Sequence, residues 1–208
     1  GYIDQRGFSY DRLIAGQVKV SELSLPAPDE TIMTELKNLL DLCRDTASMK
    51  VLDNHIHDQN LSASFDDSVL YAFQPGKMTL GDRTCKGQVV LFSDSLIEVK
   101  AEAMLKNVIL VAPIVTFEEG FTGAVQVIAR DSIIVKNRCT FEYPSSLVLI
   151  KDEGETLQNK LSIGEDCRLS GNILSVCKKD DVYKSFVNIN KGTVVTGVVY
   201  VMGYLDLQ

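Results

Sequence analysis

Apolar residues recur in pairs two positions apart along most of this chain, and from residue 97 the pairs repeat about every 18 residues. Ile97, Val115, Ile133, Leu161, Val187 and Leu205 each open a unit, followed two places on by Val99, Phe117, Val135, Ile163, Ile189 and Leu207 respectively. In the unit from Ile97 the apolar positions are Ile97, Val99, Ala103, Leu105, Ile109 and Val111, so the spacing alternates between two and four. The last full unit repeats it with Val187, Ile189, Thr193, Val195, Val199 and Val201. Side chains alternate along a strand, so a spacing of two keeps both residues on one face, and a gap of four carries the chain round a corner. Three such faces close a coil. The pattern predicts a mainly β chain built as a parallel β-helix, a three-faced solenoid of about 18 residues per coil.

The remaining units fit the same register. Leu161, Ile163, Cys167, Leu169, Ile173 and Ser175 form one unit, and Ile133, Val135, Cys139 and Phe141 another, which Pro144 then disturbs. Met78, Leu80, Cys85, Val89 and Leu91 read as an imperfect first coil, and residues 61–73 as a weaker one. Cys139 and Cys167 fall at the same position of consecutive units and are expected to stack as free, buried thiols, since stacked parallel side chains seldom reach disulfide geometry. From Met78 the openings advance by 19, 18, 18, 28, 26 and 18 residues. The two enlarged units carry insertions near residues 151–160 and 178–186, expected side by side at one corner. Long loops on a rigid scaffold are enriched for contacts, so the partner-binding candidates are Lys151, Asp152, Glu153, Glu155, Lys178, Lys179, Asp180, Asp181 and Tyr183.

Residues 1–60 follow other rules and are expected to form a small α+β capping region, with the β-helix over 61–208. Residues 12–25 alternate as strands that Pro26 and Pro28 end. Asp29 then caps a helix of about 16 residues whose stripe of Ile32, Leu36, Leu39, Leu40 and Cys43 covers either the N-terminal end of the solenoid or a separate α+β unit.

Charge and chemistry narrow the function. A net charge of -7 and pI near 4.9 argue against a broad face for nucleic acid. The five cysteines form no CxxC pair, which fits neither a zinc site nor a disulfide framework. His55 and His57 alternate on one strand face beside Asp53 and Asp58, a weak metal pair without a third ligand. No cofactor motif is present. Acidic residues cluster at Glu118 and Glu119, Asp152 to Glu155, Glu165 and Asp166, and Asp180 and Asp181, all at corners or loops. They are the ground for an alternative reading, a carbohydrate-binding or carbohydrate-cleaving β-helix module.

Ile189, Val195, Val201 and Leu207 stand six apart, and Ile163-Gly164 opens a unit, as in the hexapeptide repeat of left-handed β-helix acyltransferases, which the chain resembles in its coil. Those enzymes use a His as general base, and no His lies between residues 58 and 208. The units Leu161 to Ser175 and Val187 to Leu207, with their Gly171 and Gly197 turns, resemble the bactofilin-like family of polymer-forming β-helical proteins over approximately residues 78–208. That resemblance implies a scaffold without enzymatic activity whose β-helices stack end to end. The expected function is therefore a non-enzymatic structural or adaptor protein that presents two corner loops to a protein partner and self-associates through the end of the β-helix. The bacterial cell envelope is favoured slightly over the cytoplasm, with membrane anchoring through a segment outside this sequence.

Overall fold

Strand pairing follows the alignment of the repeat openings. The computed structural model describes residues 29–42, 50–51, 60–64, 66, 68–151, 158–177 and 184–208. Among these, one helix, α1 (Glu30–Leu42), precedes the strands β1 (Lys50–Val51), β2 (Leu61–Ala63), β3 (Leu70–Gln74), β4 (Lys77–Leu80), β5 (Thr84–Ser93), β6 (Leu96–Val99), β7 (Met104–Phe117) and β8 (Thr122–Val135). They continue with β9 (Thr140–Ile150), β10 (Lys160–Ile163), β11 (Arg168–Val176), β12 (Ser185–Ile189), β13 (Val194–Thr196), β14 (Val199–Val201) and β15 (Gly203–Leu207). The protein is mainly β, and these strands form a sheet of parallel pairs.

The register joins Met78 to Ile97, Ile97 to Val115, Val115 to Ile133, Ile133 to Leu161, Leu161 to Val187 and Val187 to Leu205. Each opening residue therefore sits beside the openings before and after it, and the side chains form one continuous row, buried from Met78 to Val187 and partly buried at Leu205. A second row runs Leu105, Gly123, Phe141, Leu169 and Val195 through the paired strands β7, β8, β9, β11 and β13, and a third runs Leu91, Leu110, Val127, Leu147, Ile173 and Val199. The main core joins members of all three rows.

One part of the expected core is displaced by a residue. Ile109 and Val111 do not face the main core; Val108 and Leu110 do, fully buried, while Val111 is buried against α1 and Ile109 packs partly there. Asn107 adopts a left-handed conformation (φ 59) and the register of β7 against β8 shifts between Lys106 and Val108. A bulge of this kind adds a residue and flips every following side chain to the opposite face. Asn tolerates that conformation better than most residues, which is why the slip falls there.

The helix starts where Asp29 predicts. Asp29 Oδ1 accepts the backbone N–H groups of Thr31 at 2.8 Å and Ile32 at 3.2 Å, satisfying two donors at the end of the first turn. Its placement differs from expectation. Leu40, with Met33, Leu36 and Leu39, packs on the outward residues Phe92, Val111, Ile128 and Val148, so the helix lies along the side of the sheet and not across its end. Ile32 is 56 % exposed and does not join the buried stripe. Phe92, Val111, Ile128 and Val148 occupy one register row of neighbouring strands, and a helix is the element wide enough to cover such an outward apolar row.

Those N–H bonds, Ile32 foremost, hold the Asp29 carboxyl below its ordinary value of 3.8. A depressed folded-state value means the cap stabilises the helix above the unfolded value and stops doing so as pH falls through the lowered one. Asp29→Asn is therefore expected to retain the helical circular dichroism signal at neutral pH and to show less helix loss than the parent between about pH 4 and pH 2. An acid titration of both proteins checks this, and identical acid limbs would remove the role assigned to Asp29.

The strand segment expected over 12–25 lies outside the described residues. No described helix is long and apolar enough to cross a membrane.

Candidate functional site

Corners are short in most repeat units. Ala112 reaches Ile114 through Pro113 alone, and Val201 reaches Gly203 through Met202 alone, so the inward columns on either side of the corner stay close. In two neighbouring units the chain leaves after Lys151 and after Cys177, and returns at Gln158 and at Lys184. The structure places the roots of the two insertions together. Lys151 N–H donates to Val176 O at 3.0 Å on the outgoing side, and Phe186 N–H donates to Asn159 O at 2.9 Å on the returning side. Gln158 Nε2 donates to Lys184 O at 3.1 Å. These bonds hold the roots of two insertions, distant in sequence, as one patch.

Of the expected partner-binding residues, Lys151 is described, and it is 4 % exposed instead of standing on the loop surface. It continues directly from β9, where its backbone N–H still belongs to the ladder. Asp152, Glu153, Glu155, Lys178, Lys179, Asp180, Asp181 and Tyr183 lie outside the described residues, as do His55, His57, Asp53 and Asp58. Among the described residues no group of three His, Cys, Asp or Glu side chains is placed to hold a metal ion.

Beneath the roots lies a polar interior that the repeat pattern alone does not announce. Asn159, Ser175 and Ser185 are 2 %, 0 % and 0 % exposed, and Asn159 Oδ1, Ser175 Oγ and Ser185 Oγ make no hydrogen bond to the protein. Each shares the inward side of its strand with a core residue two places away, Leu161, Ile173 and Val187 in turn. Cys177 closes the side of this corner, its thiol donating to Met202 O at 2.7 Å.

The acidic corners have ordinary partners. Lys136 Nζ contacts Glu118 at 2.7 Å, Arg138 pairs with Glu119, and Glu98 lies 2.8 Å from Lys100 and 3.1 Å from Lys77. Hydrogen bonds from Lys100 first and Lys77 next hold the Glu98 carboxyl below its ordinary value. Glu165 makes a bond of another kind, its backbone N–H donating to Asn137 Oδ1 at 2.9 Å. Such ladders of opposite charge tie one unit to the next at the surface and contribute little each.

Cys85, Cys139, Cys167 and Cys177 are free and buried. Cys139 and Cys167 sit side by side, as the repeat predicts, with Arg168 N–H donating to Cys139 O at 2.9 Å. Their thiols reach carbonyls, Cys139 Sγ to Glu118 O and Cys167 Sγ to Lys136 O, both at 3.2 Å. Their mutual contact, first, and then burial push the Cys139 thiol up, while the same contact holds the Cys167 thiol down.

Comparison with protein-family models, with curated proteins and with solved structures finds no match to this chain.

Proposed function

We propose that the parallel sheet winds as a three-faced β-helix and that the protein is a non-enzymatic scaffold or adaptor of the bactofilin-like kind, which presents its two insertions to a protein partner. The observation that carries this reading is the pair of insertion roots hydrogen-bonded into one patch, Lys151 to Val176 and Asn159 to Phe186. A rigid platform with two adjacent loops suits recognition, because the ladder beneath fixes the separation of the loop bases. Self-association through the last unit is the second half of the proposal. Val194, Val198, Tyr204 and Leu207 are between 52 % and 59 % exposed on β13, β15 and the turn after β13, and residues 193–205 contain no charge. Proteins usually guard a strand edge with Lys, Pro or a bulge, and such an unguarded edge favours pairing with another chain.

Replacing residues 152–157 and 178–183 by short Gly-Ser links is expected to abolish capture of the protein's partners by affinity purification while leaving the melting curve in place. Undiminished capture would remove the adaptor half. Light scattering of the full-length protein over a wide concentration range is expected to show mass rising with concentration, and Val198→Lys to suppress the rise. A parent protein that stays strictly monomeric would remove the self-association half.

A further inference from the structure

Buried serines elsewhere in this fold are wired to the backbone. Ser93 Oγ donates to Gly76 O at 2.6 Å and accepts Ser95 N–H at 3.0 Å, and Ser145 Oγ accepts Val125 N–H at 3.2 Å while donating to Glu142 O. Ser93 and Ser175 occupy the same register row, which runs Ser93, Ala112, Ala129, Leu149, Ser175 and Val201. Ser93 finds its partners in two tight corners, its own at Ser95 and that of the preceding unit at Gly76. At Ser175 the chain departs into an insertion instead, and the tight corner that would have supplied those partners is replaced.

The same replacement strands two further groups. Ser185 pairs in register with Gly203, and Ser175 with Val201. Val201 and Gly203 are two residues apart, at most about 7 Å of chain, so the two serines stand over the two ends of one short segment. Phe186 N–H bonded to Asn159 O places Asn159 on the strand beside Ser185, one ladder step of about 4.8 Å away. Asn159 Nδ2 is spent on Arg130 O, which leaves its carbonyl oxygen as an acceptor without a donor. Two hydroxyls and an amide oxygen, each at least nine-tenths buried, therefore converge on one corner.

We propose that this corner is a built site for ordered water, one or two molecules that donate to Asn159 Oδ1 and exchange hydrogen bonds with Ser175 Oγ and Ser185 Oγ. A buried water makes about three hydrogen bonds to groups that would otherwise lack partners, and this cluster supplies that number. The water takes the place of the missing tight corner, fastening the returning strands of both insertions, at Asn159 and Ser185, to the outgoing strand of the second at Ser175. The site is independent of whether the loops bind a partner.

The sign of a stability change tests it. If the hydroxyls are bridged by water, Ser175→Ala with Ser185→Ala breaks those bridges, and the melting midpoint falls by about 2–4 °C for each hydroxyl removed. If they are stranded, alanine relieves two buried unpaired groups and the midpoint stays level or rises, which overturns the proposal. Alanine already fills Ala112 and Ala129 of the Ser175 row, so the row accepts its shape. Should the double variant fail to fold, water-to-protein nuclear Overhauser effects on the parent decide: long-lived water at the Asn159 and Ser185 protons supports the site, and their absence overturns it.

Discussion

Phe117→Ala is expected to lower the thermal unfolding midpoint by about 6–20 °C, the largest effect of any single change in this core. Phe117 is fully buried, with ring centroids 5.0 Å from both Phe121 and Phe141, the latter edge to face, and Phe121 lies 5.7 Å from Phe141. Removing the ring forfeits its transfer free energy and leaves a hole between its two neighbours. That hole cannot close by collapse. The backbone around it is pinned on both sides, because Phe117 pairs in register with Val99 on one flank and Val135 on the other. A loss of about 3–5 kcal/mol follows. Phe117→Leu should recover most of it, since it restores volume but not the edge-to-face contact. A cycle combining Phe117→Leu with Phe141→Leu then isolates the ring pair, with an expected coupling of about 0.5–1.5 kcal/mol. A midpoint shift within about 2 °C for Phe117→Ala would show that the three rings are not packed in one core.

Gly171→Ala ranks second, for a reason unrelated to apolar burial. A Cβ at Gly171 would stand 1.9 Å from Ser145 O and 2.7 Å from Ser145 C, and neither is a flexible side-chain tip that could swing away. The backbone there must part. Overpacking of this kind costs about 3 kcal/mol or more, equivalent to a fall of about 6–12 °C in a protein of this size. Gly120→Ala serves as the control, since Gly120 has φ +82 with nothing within 4 Å of its would-be Cβ. It carries only the conformational cost of a left-handed alanine, about 1–2 kcal/mol, and should melt well above Gly171→Ala. If the two variants melt together, close approach is not what selects glycine at residue 171.

The strand register was legible in the sequence because the openings of the units are set by a period that no helix or irregular segment would keep. Met78, Ile97, Val115, Ile133, Leu161, Val187 and Leu205 pair as aligned, and Cys139 with Cys167 follows from the same alignment. Where the structure departs from the spacing, local backbone geometry overrode it. Ile109 and Val111 are as apolar as Val108 and Leu110, so hydrophobicity could not choose between the two sets, and the left-handed turn at Asn107 made the choice. The side position of α1 was hidden for a similar reason. Phe92, Val111, Ile128 and Val148 form an outward apolar row only after the register is known. At the candidate site the insertions were legible as a change of unit length, and the buried polar cluster was not. Ser185 and Asn159 stand two residues before Val187 and Leu161, so extending the alternation backwards by one step would have placed both inside.

Parallel pairing between equivalent residues also has a kinetic consequence. Each strand meets its partner after 17 to 28 residues of chain, whichever unit it belongs to. The entropy of closing such a segment rises only as the logarithm of its length, so the two enlarged units pay less than about 1 kcal/mol more than the others. Folding can thus spread from one ordered unit to its neighbour at nearly constant cost, and a gene that duplicated one unit would lengthen the protein without altering the contacts of those already formed.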